Sequence, residues 1–184
     1  TEFAAVTDVS IAGTMQMLES ATDTAVVVVV PEATTIGAQT LTLTTPGGSA
    51  TAAVTVIHLV ISELDADTPG DLDALDFVEI ATGVPGVSLA GYSLVFWNGN
   101  GDVSYYSVNL NATTDANGLM LVGNTAVLPT PAFTFGQNFL QNGPDAVALH
   151  QGPPLANGTA VTNARLLDAL VYDTDDGDDA GLLN

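Results

Sequence analysis

Apolar and polar positions alternate with period two along much of this chain, while stripes at helical spacing are scarce, so the local signal is one strand after another. Gln39–Thr45 alternates Thr on one face with Leu on the other, Pro46–Gly47–Gly48 turns the chain, and Ala50–Ile57 returns. That pattern predicts a hairpin. Thr24–Val30 is a β-branched run closed by Pro31, which predicts a strand buried on both faces or lying at an oligomer contact. Beyond Ile57, Val60–Leu64, Asp76–Ala81, Tyr92–Trp97, Ser104–Leu110, Leu119–Val122, Asp145–Leu149 and Leu167–Tyr172 read as short strands punctuated by Gly or Asn. The expected fold class is all-β, and the number and spacing of the later strands suit a sandwich.

Composition narrows the class of protein. The 184 residues are 47% hydrophobic and only 12% charged, which excludes a chain too polar to fold. The charge is one-sided: 21 Asp and Glu face one cation, Arg165, for a formal net charge of −20. Nucleic acid and anionic lipid surfaces repel such a chain, so neither is an expected partner. The imbalance suits a surface kept soluble in strong salt, a set of carboxylates awaiting divalent cations, or both. No Cys is present, so packing or metal must supply the stability that disulfides give elsewhere. The longest apolar run, Ala25–Pro31, is far short of the ~20 residues that span a bilayer, and no membrane insertion is expected.

Two resemblances follow from ordered blocks of residues. "DTAVVVVVPEATTIGAQTLTLTTPGGSATAAVTV", with "VPEATTIG" and "TTPGGSAT" its most specific parts, resembles the immunoglobulin-like IPT/TIG domain over residues 1–57. The opening strand of that family would lie before Thr1, so the first sandwich is expected to be incomplete at its N-terminus. "VISELDADTPGDLDALDFVEIATG", "LAGYSLVFWNGNGDVSYYSVNL", "LQNGPDAVALH" and "LLDALVYDTDDGDDAGLL" resemble the bacterial lamin-tail domain over residues 58–183. The resemblance implies two immunoglobulin-like β-sandwich domains in tandem, at 1–57 and 58–184. It further implies a non-catalytic module of secreted proteins, one that accompanies nucleases, phosphatases or surface anchors.

The acids gather in two runs. Asp65, Asp67, Asp71 and Asp73, flanked by Glu63, Asp76 and Glu79, could wrap a hard cation, because calcium takes six to eight oxygens from carboxylates and carbonyls on flexible loops. Asp173, Asp175, Asp176 and Asp178, with Asp179, form a second run around Gly177 that resembles a calcium loop only in part. The competing reading of both is a solvated acidic face. Calcium is the one cofactor these residues suggest.

Other chemistry is thinner. His58 and His150 are the only side chains that titrate near neutrality unaided, and neither has a recognisable catalytic companion in the sequence. Tyr92, Phe96, Trp97, Tyr105 and Tyr106 suit sandwich core better than a sugar platform. Asn111 and Asn157 head acceptor-like sequons, and Arg165 is expected to pair with Asp168 or a strand Glu. The expectation is a non-enzymatic extracellular structural module that assembles as a homo-oligomer or polymer. Val26, Val28 and Val30 are the expected assembly contact, and calcium the expected stabiliser. An accessory domain of a secreted nuclease or phosphatase, or a carbohydrate-binding module, is the alternative.

Overall fold

The computed structural model describes residues 3–69, 73–173 and 181–182. The fold is all-β, with thirteen strands and one short 3₁₀ turn, at Phe3–Ala5, among the described residues. It divides into two compact units, Thr1–His58 and Leu59–Asn184.

The first unit holds β1 (Asp8–Ile11), β2 (Thr14–Ala21), β3 (Val26–Val29), β4 (Gly37–Thr45) and β5 (Gly48–Val56) in one antiparallel sheet of order β3-β2-β1-β4-β5. Thr45 faces Gly48 across the turn, so Pro46 and Gly47 close the hairpin as the pattern predicts. Leu43 and Leu41 sit opposite Val9 and Ile11, and those two β1 residues are the buried centre of one face. Where a partial sandwich is expected, the described residues of this unit make a single layer. For the Val run, burial on both faces does not hold: β3 alternates between half-buried and exposed and forms an edge of the sheet, paired among the described residues on one side only, with β2. A β-branched run reports a preference for extended backbone and does not distinguish a central strand from an edge.

The second unit is a β-sandwich. One sheet contains β6 (Val60–Asp65), β7 (Phe77–Ala81), β10 (Leu119–Asn124) and β11 (Phe133–Phe135) in the order β11-β10-β7-β6. The other contains β8 (Tyr92–Asn98), β9 (Val103–Asn109), β12 (Asp145–Gln151) and β13 (Leu166–Tyr172) in the order β13-β12-β8-β9. Inward positions meet in register: Ile80 opposes Met120 and Val78 opposes Val122 in one sheet, while Leu94 opposes Leu149 and Phe96 opposes Val147 in the other. All eight join one core with Leu89, Leu110, Phe135 and Leu140. Each such side chain contributes about 1.5–3 kcal/mol by leaving water, which is why the alternating pattern dictates the layer structure.

The second sheet is covered on its outer face as well. Val95, Trp97, Ala146 and Ala148 form a smaller cluster under Leu155, Val161 and Val171. This explains why β8 and β12 are buried along almost their whole length rather than at alternate positions. At one side of the sandwich the Ile61 amide donates to Asp168 Oδ2 at 2.7 Å, which links β6 to β13.

Candidate functional site

The loop between β6 and β7 carries the first acidic run, and it folds around a residue at its far end. Asp76, immediately before β7, is fully buried. Its Oδ1 accepts from the Thr68 hydroxyl at 2.7 Å and from the Thr68 amide at 3.4 Å, and its carbonyl accepts from the Asn124 amide at 2.9 Å. The Thr68 bonds fix the carboxylate from the loop side, and the Asn124 bond ties the Asp76 backbone to β10. Its Oδ2 is sealed from solvent without a hydrogen-bond partner. Burial pushes the Asp76 carboxyl above the usual range, the Thr68 bonds pull it back, and the nearby charges of Asp73 and Asp65 push it up again.

The expected ligands divide around this point. Asp73 is buried, in left-handed backbone (φ 37°), and accepts from Asn142 Nδ2 at 3.4 Å. Asp65 ends β6 and is half-buried, whereas Asp67 is exposed. Asp71 lies outside the described residues.

A second sealed carboxylate opens β12. Asp145 Oδ1 accepts from the Gly99 amide at 3.0 Å, while Oδ2 is enclosed without a partner. Its carboxyl is raised by burial, lowered by the Gly99 bond and raised again by the charge of Asp173, the first residue of the second acidic run. Asp175, Asp176 and Asp178 lie outside the described residues. Tyr105 and Tyr172 connect the two sealed carboxylates. Burial holds both hydroxyls above their usual range, and the charges of Asp145 and Asp76 push each further in the same direction. Asp76 and Asp145, some seventy positions apart in sequence, therefore act on the same pair of tyrosines. Among the described residues, no three of His, Cys, Asp and Glu are gathered into a group that could hold a metal by themselves.

Sequence reasoning names Asp76 only as a flank of the first run and Asp145 only as the start of a strand. The signal available for both is an acid placed directly before an apolar strand.

The remaining candidates resolve without catalysis. His150 is buried against Trp97, with ring centroids 6.0 Å apart, and its Nδ1 donates to the Ala164 carbonyl at 3.1 Å. His58, in the first unit, is exposed, 3.8 Å from Glu32. Trp97 is core rather than a surface platform, and Phe96 is ringed by Tyr105, Tyr106, Phe135 and Phe139 at 5.8–6.3 Å. The expected ion pair of Arg165 does not form: among the described residues Arg165 makes none, and Asp168 instead accepts from backbone amides of Ile61 and Ala169. Asn111 and Asn157 are both exposed. Of the expected assembly residues, Val26 and Val28 are half-buried, and Val30, just past β3, is exposed. No described helix is long and apolar enough to cross a membrane.

Comparison with known proteins returns nothing: no family model, no curated protein and no solved structure matches the chain. The likenesses to lamin-tail and IPT/TIG domains rest on the quoted residues alone.

Proposed function

We propose that this chain is a non-catalytic extracellular structural module that assembles with copies of itself by strand addition at the open edge β3. The observation that carries the reading is the chemistry of that edge. The strand has no charged side chain, no Pro and no bulge of its own, and its outer backbone groups have no strand partner among the described residues. Natural edges are normally blunted by charge or Pro, and an unblunted edge is a template for pairing. Beside it lies exposed apolar surface. Met17 faces Val29 across β2 and β3, and Met15 and Val27, at alternate positions, fall on the same face. Soft, exposed Met side chains adapt readily to a partner surface.

A second copy is favoured as the partner because an edge strand without charged side chains is where two chains of net charge −20 can approach. At ~0.15 M salt the Debye length is about 8 Å, so repulsion from flanking acids is damped over the width of one strand pair. An accessory domain of a secreted nuclease or phosphatase is the second reading, favoured by the closed core of Leu59–Asn184, which needs no partner layer.

Light scattering coupled to size separation, with electron microscopy, tests the proposal. The wild-type chain is expected to form particles larger than a monomer, and Val27→Lys, at an exposed β3 position, to reduce them while Trp97 fluorescence reports an intact second unit. A monodisperse wild-type monomer at low and high salt would remove assembly and leave the accessory reading.

A further inference from the structure

We infer that a cleft on the outer face of the sheet β11-β10-β7-β6 binds a basic side chain, lysine or arginine, presented by another protein. Glu79 and Asp115 are the anionic partners of its head group, and Leu119 and Leu121 receive its aliphatic stem. Met120 and Val122 belong to the core, so Leu119 and Leu121, at the alternate positions of β10, point outward. The other sheet of the sandwich is covered on its outer face by Leu155 and Val161. Leu119 and Leu121 instead line a cavity of about 380 Å³, within the span of about 300–1,000 Å³ typical of ligand sites. Asp115 and Asn117, before β10, and Pro129 and Ala132, after it, complete the lining.

The charge of this cleft has no complement in the chain. Val78 and Ile80 are sealed in the core, which turns Glu79 between them to the outer face. In register across the sheet Glu79 stands between Glu63 of β6 and Leu121 of β10. Like charges directly opposite each other destabilise a strand pair. The Ser62 hydroxyl donates to Glu79 Oε1 at 2.7 Å but brings no positive charge. Asp115 stays charged as well: the amides of Asn117 and Leu119 donate to its Oδ1 at 2.8 and 2.9 Å and hold its carboxyl below the usual range. No basic side chain lines the cavity, and the chain has no Lys. Its one cation, Arg165, lies over Gly152, where an added Cβ would meet Nη1 at 3.2 Å. The complementary cation therefore comes from outside the chain, and a second copy, with Arg165 alone to offer, is a poor source.

The lining selects the class of ligand. Two carboxylates repel an anion. A quaternary ammonium group wants an aromatic cage, and no aromatic side chain lines the cavity. A hard divalent cation wants six or more oxygens, and no three acids among the described residues are gathered for one. An ammonium or guanidinium head on an aliphatic stem meets each requirement: the stem covers Leu119, Leu121 and Pro129 while the head reaches the carboxylates. Leu128, beside Pro129 at the rim, is 84% exposed. That apolar surface continues past the cleft, where a polypeptide running on from its bound side chain covers it and a free amine does not.

A nonapeptide of Gly and Ser with Leu-Lys-Leu at its centre, blocked at both ends and carrying an uncharged dye, tests the site by fluorescence anisotropy with the full chain. Saturable binding is expected whether or not β3 pairs with another copy, and the same peptide with norleucine in place of lysine, which keeps the stem and loses the charge, is expected to bind at least about tenfold more weakly. Glu79→Gln is expected to weaken the lysine peptide about tenfold, whereas Asp8→Asn, which removes the same charge from the first unit, is expected to leave it unchanged. Ala132→Trp fills the cleft without altering charge and is expected to abolish binding, which reads the site independently should Glu79→Gln misfold. The proposal is overturned by an absence of saturable binding, by equal affinity of the norleucine peptide, or by wild-type affinity in either cleft variant. Equal weakening by Asp8→Asn and Glu79→Gln overturns it too, since net charge alone then attracts the peptide. Displacement by butylamine at concentrations comparable to the peptide's own would assign the cleft to a free amine and overturn the protein partner.

Discussion

Gly118 and Gly158 provide a matched pair in which backbone strain and steric exclusion can be separated. Both lie in the second unit with φ +81°, a left-handed conformation that costs an L side chain about 1–2 kcal/mol. Their surroundings differ. A Cβ on Gly158 meets nothing within 4 Å, whereas one on Gly118 would lie 2.9 Å from the Val84 carbonyl oxygen and 3.0 Å from its carbon. Those are backbone atoms, unable to swing aside as the end of a flexible side chain would. The Gly118 carbonyl also accepts from the Thr82 amide and hydroxyl, at 3.0 and 3.1 Å, so a shift there loosens the turn before β10. Gly158→Ala should therefore cost about 1–2 kcal/mol. Gly118→Ala carries the same strain plus about 1–3 kcal/mol for forcing in a methyl. Urea unfolding followed by Trp97, the sole tryptophan and buried in this unit, measures both with an unchanged slope on denaturant. Equal losses in the two variants would refute the reasoning, because they would mean that Val84 yields freely or that the turn is not as tight as described.

Phe96 is fully buried with four aromatic rings around it, so Phe96→Ala should destabilise the second unit by about 3–5 kcal/mol, and a loss below about 1 kcal/mol in the same urea assay would contradict its place at the centre of the core. Asp115 gives a pH signature. Backbone amides of Leu119 and Asn117 hold its carboxyl below the usual range, so its contribution is present above the unfolded pKa of about 3.9 and is lost as pH falls through the lower folded value. Asp115→Ala should flatten the acid limb of stability against pH, and an identical limb in the variant would show that those bonds do not distinguish the folded state.

The strands of the second unit were legible because each is a short apolar run bounded by Gly, Asn or Pro, and all seven expected segments are strands within a residue or two of their expected limits. Phe133–Phe135 was not, since three residues paired in parallel with β10 offer no period to detect. Nor could alternation announce that β8 and β12 are covered on both faces, which depends on the segment carrying Leu155 and Val161 folding back over them. In the first unit the Val run spoke for a strand but not for its place at the edge. The acids show the same division. Their clustering is written in the sequence, but which of them is sealed is decided by remote partners: the Asn124 amide on the carbonyl of Asp76, and the Gly99 amide on Asp145.

That division bears on what the net charge of −20 does. Exposed acids such as Asp67 repel one another through water, and any salt screens them by an amount set by ionic strength alone. A sealed oxygen is different in kind, because ions in bulk solvent barely screen a charge they cannot approach. A proton or an ion that binds in place relieves it, and anything that binds only the native chain stabilises it by mass action, about 2.7 kcal/mol at a hundredfold excess over its dissociation constant. Screening therefore follows ionic strength whatever the salt, while site binding follows the activity of one ion and levels off logarithmically above its dissociation constant. An acidic surface and an acidic site can coexist in one chain. The two sealed carboxylates of this sandwich are what distinguish it from a surface that is merely acidic.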